Sequence, residues 1–404
     1  TKSKLVVLAA TARALINRGD DGAAKAVLEK GYRLALDSKP DANDDGYRAL
    51  ARELAHIGHR RRAFEVADLM SRDRDDWRAE AYGDIAMGEL DGGFADQAFA
   101  TLAGIPDLEN RVQAISGVLR DRAEDSPDRM RLADTILTLA PTIPDKGNWR
   151  SGSLSVVVRE YVRAGKLTKA IAIARTIAEP SFRAGALVTI AKRLVESGRA
   201  EDSLALLNEA ERGGARSSVG LASAFADLDR IRPDPALRAR AEAILEAAAT
   251  AAQEERGFRE VAIGAVASGW AHLGDVSRTF AQLEDTPSDF YKSQLLESID
   301  GAMAPLVKRG LAPQAVRAAV AMQSPYHRCL ALLALADHVS EPERRRLLIA
   351  AEALVPAVLD PDEQSFAAAQ VAVRWIGLGQ YRHGLLIGER ARPFDRFDVY
   401  LRIL

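Results

Sequence analysis

Three short stretches bring together residue types able to hold a metal or attack a substrate. Asp41-Ala42-Asn43-Asp44-Asp45-Gly46 begins like a calcium loop, with oxygen ligands at alternate positions ahead of a glycine turn. Such a loop closes its cage with a bidentate carboxylate at the twelfth position, where this chain has Arg52, with Glu53 one place late. The segment is therefore read as an acidic loop in which Asp44 or Asp45 caps the next helix. His56 and His59, followed by Arg60, Arg61 and Arg62, offer two imidazoles within a turn, yet the glutamate and third ligand of a zinc hydrolase site are missing. A basic surface patch is expected. His327 and Cys329 supply a base and a thiol, but residues two apart on a helix point in different directions. Cys329 is thus expected to be a buried structural residue. No G-x-S-x-G, Walker, H-E-x-x-H or dinucleotide signature occurs. The chain is not expected to be an enzyme, and no metal or cofactor is expected.

The elements that would position any such residue are written in a repeat. Eight times a glycine is followed five residues later by a small residue: Gly19/Ala24, Gly58/Ala63, Gly93/Ala98, Gly165/Ala170, Gly198/Ser203, Gly274/Thr279, Gly310/Ala315 and Gly379/Gly384. Seven residues before each glycine stands Ala12, Ala51, Ala86, Ala191, Ala267 or Ala372, with Val158 and Met303 as exceptions. Glycine ends a helix cheaply because it enters the left-handed region without a Cβ clash. Small residues on either side let two helices cross closely. Each copy therefore predicts a helical hairpin. Apolar stripes agree: Leu154, Val157, Val158 and Tyr161 precede Gly165, and Ala170, Ile173, Ala174 and Ile177 follow it. The period breaks near 111–149, 216–257 and 328–363, where Pro141 and Pro144, then Pro233 and Pro235, then Pro342 intervene. These are expected to be irregular repeats, which brings the count to about eleven hairpins.

A chain of 404 residues exceeds what one compact core supports, yet no Pro/Gly/Ser-rich linker divides it. Stacked repeats reconcile the two, since each unit buries its apolar face on its neighbours. With 48% apolar, 28% charged and 6% aromatic residues and no alternating β-branched runs, an all-α single array over 1–404 is expected. A net charge of −2 lacks the cationic excess that drives non-specific nucleic-acid binding. One cysteine excludes an intramolecular disulfide, and no apolar stretch has membrane-spanning length. A cytoplasmic location is expected, with periplasm or secretion left open. Lys2, Lys4 and the apolar run Leu5 to Ala10 mimic a signal peptide, but Ala12, Gly19 and Ala24 are in repeat register, so a first-repeat helix is expected there.

Arginines recur near unit starts, at Arg78, Arg111, Arg150, Arg183, Arg216, Arg259 and Arg328. A cation there opposes the helix dipole. Acids across the junction, among them Asp76, Glu109, Glu179 and Glu255, are expected to compensate.

The unit resembles the tetratricopeptide repeat family. The family's large first-helix positions read Tyr47, Leu50 and Leu54 in one copy, Tyr82 and Ile85 in another, and Tyr161, Trp270 and Trp375 in three more. Its closing proline is missing; prolines come earlier, at Pro106, Pro180, Pro287, Pro325 and Pro393, so shorter second helices are expected. The resemblance implies a right-handed α-solenoid whose first helices line a concave groove. The residue after the first small position faces that groove in the family, which here gives Arg13, Arg52, Met87, Arg120, Arg159 and Lys192, then Phe225, Ser268, Ala304, Asp337 and Val373. Arg13, Arg52, Arg120, Arg159 and Lys192 are thus the candidate groove cations. The implied function is a non-catalytic protein–protein interaction scaffold holding a protein or an extended acidic peptide through charge-assisted hydrogen bonds. Two alternatives are an RNA-binding helical repeat of the pentatricopeptide type and a regulatory portion of a larger enzyme system. The first is disfavoured because Ala9, Gly83, Val188 and Gly264 stand where side chains would read bases.

Overall fold

A computed structural model describes residues 2–38, 45–70, 77–144, 148–213, 218–254, 259–286 and 292–401. Among them the only regular structure is helical. The chain divides into two compact units, 1–186 and 187–404. In the first lie the hairpins α1 (Lys2–Asn17)/α2 (Asp21–Leu36), α3 (Asp45–His56)/α4 (Arg60–Ala67), α5 (Trp77–Asp91)/α6 (Ala95–Ala103), α7 (Leu108–Asp121)/α8 (Asp128–Leu139) and α9 (Trp149–Arg163)/α10 (Leu167–Thr176). Helix α11 (Pro180–Glu196) contains the division and pairs with α12 (Ala200–Arg212). The second unit continues with α13 (Val219–Ile231)/α14 (Pro235–Glu254), α15 (Arg259–Leu273)/α16 (Val276–Glu284), α17 (Lys292–Lys308)/α18 (Ala312–Ala321), α19 (Pro325–Asp337)/α20 (Glu341–Leu354) and α21 (Pro361–Gly377)/α22 (Tyr381–Gly388). A last helix, α23 (Pro393–Leu401), follows.

All eight repeat glycines have positive φ, from 72° to 82°. At Gly19 the chain reverses through Gly19 N–H to Ile16 O (2.9 Å) and Asp20 N–H to Leu15 O (2.9 Å), which satisfies two carbonyls the helix end would leave open. The small residues flanking the glycines are buried, Ala12 with Ala24, Ala51 with Ala63 and Ala191 with Ser203 all at 0% exposure. Ser203 Oγ even donates to the Ala191 carbonyl at 2.9 Å, which ties α12 to α11 at their crossing.

Within the first unit the first helices stack in series, α1 on α3, α3 on α5, α5 on α7 and α7 on α9. In the second the series runs α13, α15, α17, α19, α21 and α23. Second helices meet one another at α2/α4 and α16/α18. Helices α3 and α5 approach closely. A Cβ on Gly88 would lie 2.0 Å from the Arg52 carbonyl oxygen, and one on Gly92 would lie 2.1 Å from that of His56. The period of four on both helices lets two glycines accept two backbone ridges.

The irregular segments are hairpins too. The turn between α7 and α8 has no left-handed glycine, and α8 runs into a 3₁₀ turn at Ala140–Thr142. Asn148, φ 64°, then opens α9. Helix α14 is 20 residues long, against 8 to 10 for α4, α6, α10, α16, α18 and α22. Shortened second helices are therefore frequent but not general. Pro180, Pro325 and Pro393 each open a first helix, where a missing N–H costs nothing.

The junction arginines behave differently from the expectation. Arg111 donates through Nε and Nη2 to the Ile105 carbonyl (2.8 and 2.6 Å), and Arg150 does the same to Ile143 (3.0 and 2.7 Å). Arg183 reaches Ile177 O at 3.2 Å, and Arg328 reaches Met322 O at 3.1 Å through Nε. Each guanidinium thus answers an open carbonyl where the preceding second helix ends, the negative end of its dipole. The hydrogen bonds go to carbonyls, while Arg183 also attracts the Glu179 carboxylate and helps to hold its pKa down. Glu179 itself accepts from Phe182 N–H (2.9 Å) and caps α11. Arg216, Asp76 and Glu255 lie outside the described residues, as does the side chain of Arg78.

Candidate functional site

The candidate groove cations meet different fates. Arg13 Nε lies 2.8 Å from Glu53 and its Nη1 3.0 Å from Asp91. Arg52 Nη2 (3.1 Å) and Arg122 Nη1 (2.6 Å) converge on the same Asp91. One carboxylate at the end of α5 therefore joins α1, α3 and the end of α7. Burial opposes the Asp91 charge, but hydrogen bonds from Arg52 and Arg13 outweigh it and hold its pKa below the usual carboxylate value. Glu53 goes the other way, because its own burial exceeds what Arg13 returns. Arg13 and Arg52 are thus engaged in holding the first unit together.

Arg120 and Arg159 are exposed. Arg120 lines a cavity of about 210 Å³ on α3, α5 and α7, where Glu80, Asp84 and Asp121 outnumber Arg48 and Arg120. Arg48 is itself paired with Glu80 (3.1 Å) and Asp84. A continuous free basic row is absent from the described residues of 1–186. The cluster after His59 is paired as well: Arg60 with the fully buried Glu89, Arg61 with Glu65 at 3.0 Å and Arg62 with Glu29 at 2.6 Å. No cluster of three or more metal-ligating side chains occurs among the described residues. Asp41 to Asp44 lie outside them.

Cys329 is buried, with Sγ 3.5 Å from Ala351 O, and burial pushes its thiol up to about 12. His327 lies with Nε2 3.0 Å from Thr286 O and Nδ1 2.9 Å from Ser324 Oγ. The two groups serve separate structural contacts.

The second unit holds a cavity of about 480 Å³ between its first helices. Lys192 enters from α11, Asp227 and Arg230 from α13, His272 from α15, and Lys308 and Arg309 from the end of α17. Asp227 Oδ1 lies 3.0 Å from His272 Nδ1. Burial disfavours the Asp227 charge, yet His272, Lys192 and Arg230 together hold its pKa below the usual range. Desolvation pulls the Lys192 ammonium below its ordinary value despite the attraction of Asp227 and Glu196, and it also lowers Arg309. Arg309 Nη2 donates to Ala226 O at 3.1 Å, which aims the guanidinium at α13.

The wall supplied by α17 has a local cause. Pro305 sits inside that helix and has no N–H for the carbonyl of Gly301. Ser268 Oγ of α15 donates to that oxygen instead, at 2.9 Å. Gly301, Ala304 and Pro305, all short, then leave room for the cavity.

Of the five candidate cations only Lys192 belongs to this site. Asp227, Arg230, His272, Lys308 and Arg309 were missed. His272 and Lys308 stand four residues after Ser268 and Ala304, hence on the same helix face, and that spacing was the available signal. Phe225 is not a groove residue: it is fully buried beneath the Arg240 guanidinium, 4.1 Å from its ring centre. Asp337 is paired with Arg374 at 2.7 Å.

No family model matches the chain, and no curated protein matches it. Among solved structures it is similar to Ton1535 from Thermococcus onnurineus NA1, at 16% identity over 70% of this chain and 96% of that one, with a TM-score of 0.22. It is also similar to a circular tandem repeat protein with novel repeat topology, at 15% identity over 99% of this chain and 91% of that one, with a TM-score of 0.17. Superpositions this loose carry no argument about activity. No described helix is long and apolar enough to cross a membrane. Over the described residues the chain is an all-helical tandem repeat.

Proposed function

We propose that the chain is a non-catalytic interaction scaffold of tetratricopeptide-like, right-handed helical hairpins, and that it holds an acidic protein or peptide segment on the first-helix face of 187–404. One observation carries this reading: Lys192, Arg230, Lys308 and Arg309 converge on one cavity whose lining carries only two carboxylates, Asp227 and Glu196, to oppose them. Elsewhere on the candidate row, Arg13 and Arg52 already have carboxylates. Cations in excess of carboxylates on a partly desolvated wall attract an anionic segment and fix its register.

Site-specific photocrosslinking tests it. A crosslinker in place of Ala304, on the cavity wall, is expected to capture the partner, and one in place of the exposed Val320 on α18 is not. Capture from Val320 alone would move the working surface to the second helices.

A further inference from the structure

The lining of this cavity is unbalanced in a way that specifies its ligand. Four cations face two carboxylates, Asp227 and Glu196, which leaves two positive charges in excess. Asp227 is engaged by His272 at 3.0 Å, and Glu196 is exposed at the rim. A carboxylate would bring one negative charge and two acceptor oxygens. A phosphomonoester brings about −1.5 to −2 at neutral pH and three acceptor oxygens.

Geometry favours the second. A planar carboxylate is matched by one guanidinium presenting two parallel N–H groups from one side. Here a lysine on α11, an arginine on α13, and a lysine and an arginine at the end of α17 approach from three helices. That arrangement suits a tetrahedral group whose oxygens point in several directions. The volume, about 480 Å³, falls within the ~300–1,000 Å³ of small-ligand pockets. Lys192 and Arg309 are half-buried, so a dianion beside them would replace water already partly removed.

We infer that the cavity lined by Lys192, Arg230, Lys308 and Arg309 binds a phosphomonoester, either a phosphorylated side chain of the partner segment or a free small phosphomonoester. The inference rests on the first-helix face of 187–404 being the working surface, and it names the chemistry that this face selects.

Titration calorimetry of the full chain tests it with three probes: N-acetyl-O-phosphoserine amide, N-acetylglutamate amide and a short peptide carrying one phosphoserine. The phosphoserine derivative is expected to bind about tenfold or more tighter than the glutamate derivative. Lys192→Met and Arg309→Ala are each expected to weaken it by about tenfold or more, while Arg346→Ala on α20 leaves it unchanged. Arg309 also bonds Ala226 O, so circular dichroism accompanies that variant, and Lys192→Met decides alone if Arg309→Ala misfolds. A phosphopeptide that binds tighter than the free derivative assigns the source to a partner side chain; equal affinities assign it to a free phosphomonoester. Equal binding of the phosphoserine and glutamate derivatives, or phosphoserine binding indifferent to Lys192→Met, overturns the inference. If a partner is captured from Ala304 while phosphoserine does not bind, the inference alone fails and the acidic-segment reading stands.

Discussion

Ser268 donates its hydroxyl to the carbonyl oxygen of Gly301 at 2.9 Å, replacing the N–H that Pro305 lacks one turn later. The serine thus repairs the backbone where α17 forms the cavity wall. Ser268→Ala is expected to cost about 0.5–1.5 kcal/mol, the net worth of one hydrogen bond. In a Pro305→Ala background the same change is expected to cost little, because residue 305 then supplies its own N–H. A double-mutant cycle by denaturant unfolding reads the coupling, and additive costs would refute the pairing.

The contact of α3 with α5 makes opposite predictions for two glycines in neighbouring helices. Gly88→Ala places a methyl group 2.0 Å from the Arg52 carbonyl oxygen and is expected to destabilise by about 1–3 kcal/mol. A Cβ at Gly117, inside α7, meets nothing within 4 Å. Gly117→Ala is therefore expected to stabilise by about 0.5–1 kcal/mol through helix propensity. Thermal melts of both variants check the sign.

At the α11/α12 crossing, Ala191→Trp is expected to lose about 1–3 kcal/mol by overpacking. Arg212→Trp, exposed at the end of α12, is expected to move the denaturant midpoint little. Equal shifts would mean that Ala191 does not mark the seam.

Lys192 carries a pH signature. Desolvation lowers its pKa in the folded state, so the folded chain binds the proton less tightly than the unfolded chain does. The destabilisation is complete at pH below the folded pKa and vanishes as pH rises through the unfolded value near 10.4. Lys192→Met is therefore expected to raise Tm at neutral pH, with the gap closing toward about pH 10.4. A gap that stays constant from neutral pH upward would contradict this.

The hairpins were legible because glycine and alanine report backbone needs directly. Gly19, Gly165 and Gly379 announced left-handed stops, and Ala51 and Ala191 announced crossings, whatever surrounds them. The Asp91 hub was not legible, since Arg13, Arg52 and Arg122 come from three helices and only packing makes them converge. The junction arginines were seen, but their carbonyl partners were not, because a carbonyl leaves no mark in residue type. Lys192 was found through its repeat position. Asp227 and Arg230 were hidden because α13 lacks the glycine that sets the register elsewhere.

Lys192 on α11 and Arg309, just past the end of α17, are proposed to hold the partner segment. The measurement that tests this most directly is the salt dependence of the affinity for the segment captured from Ala304. It is compared in the wild type, in Lys192→Met/Arg309→Ala and in Arg317→Ala/Arg346→Ala, the last pair being exposed on α18 and α20. Affinity is expected to fall with salt in the wild type and in the second-helix variant. In the first-helix variant it is expected to be weak and nearly flat. Full affinity and an unchanged salt slope after loss of Lys192 and Arg309, with binding lost in the Arg317/Arg346 variant, would contradict the account.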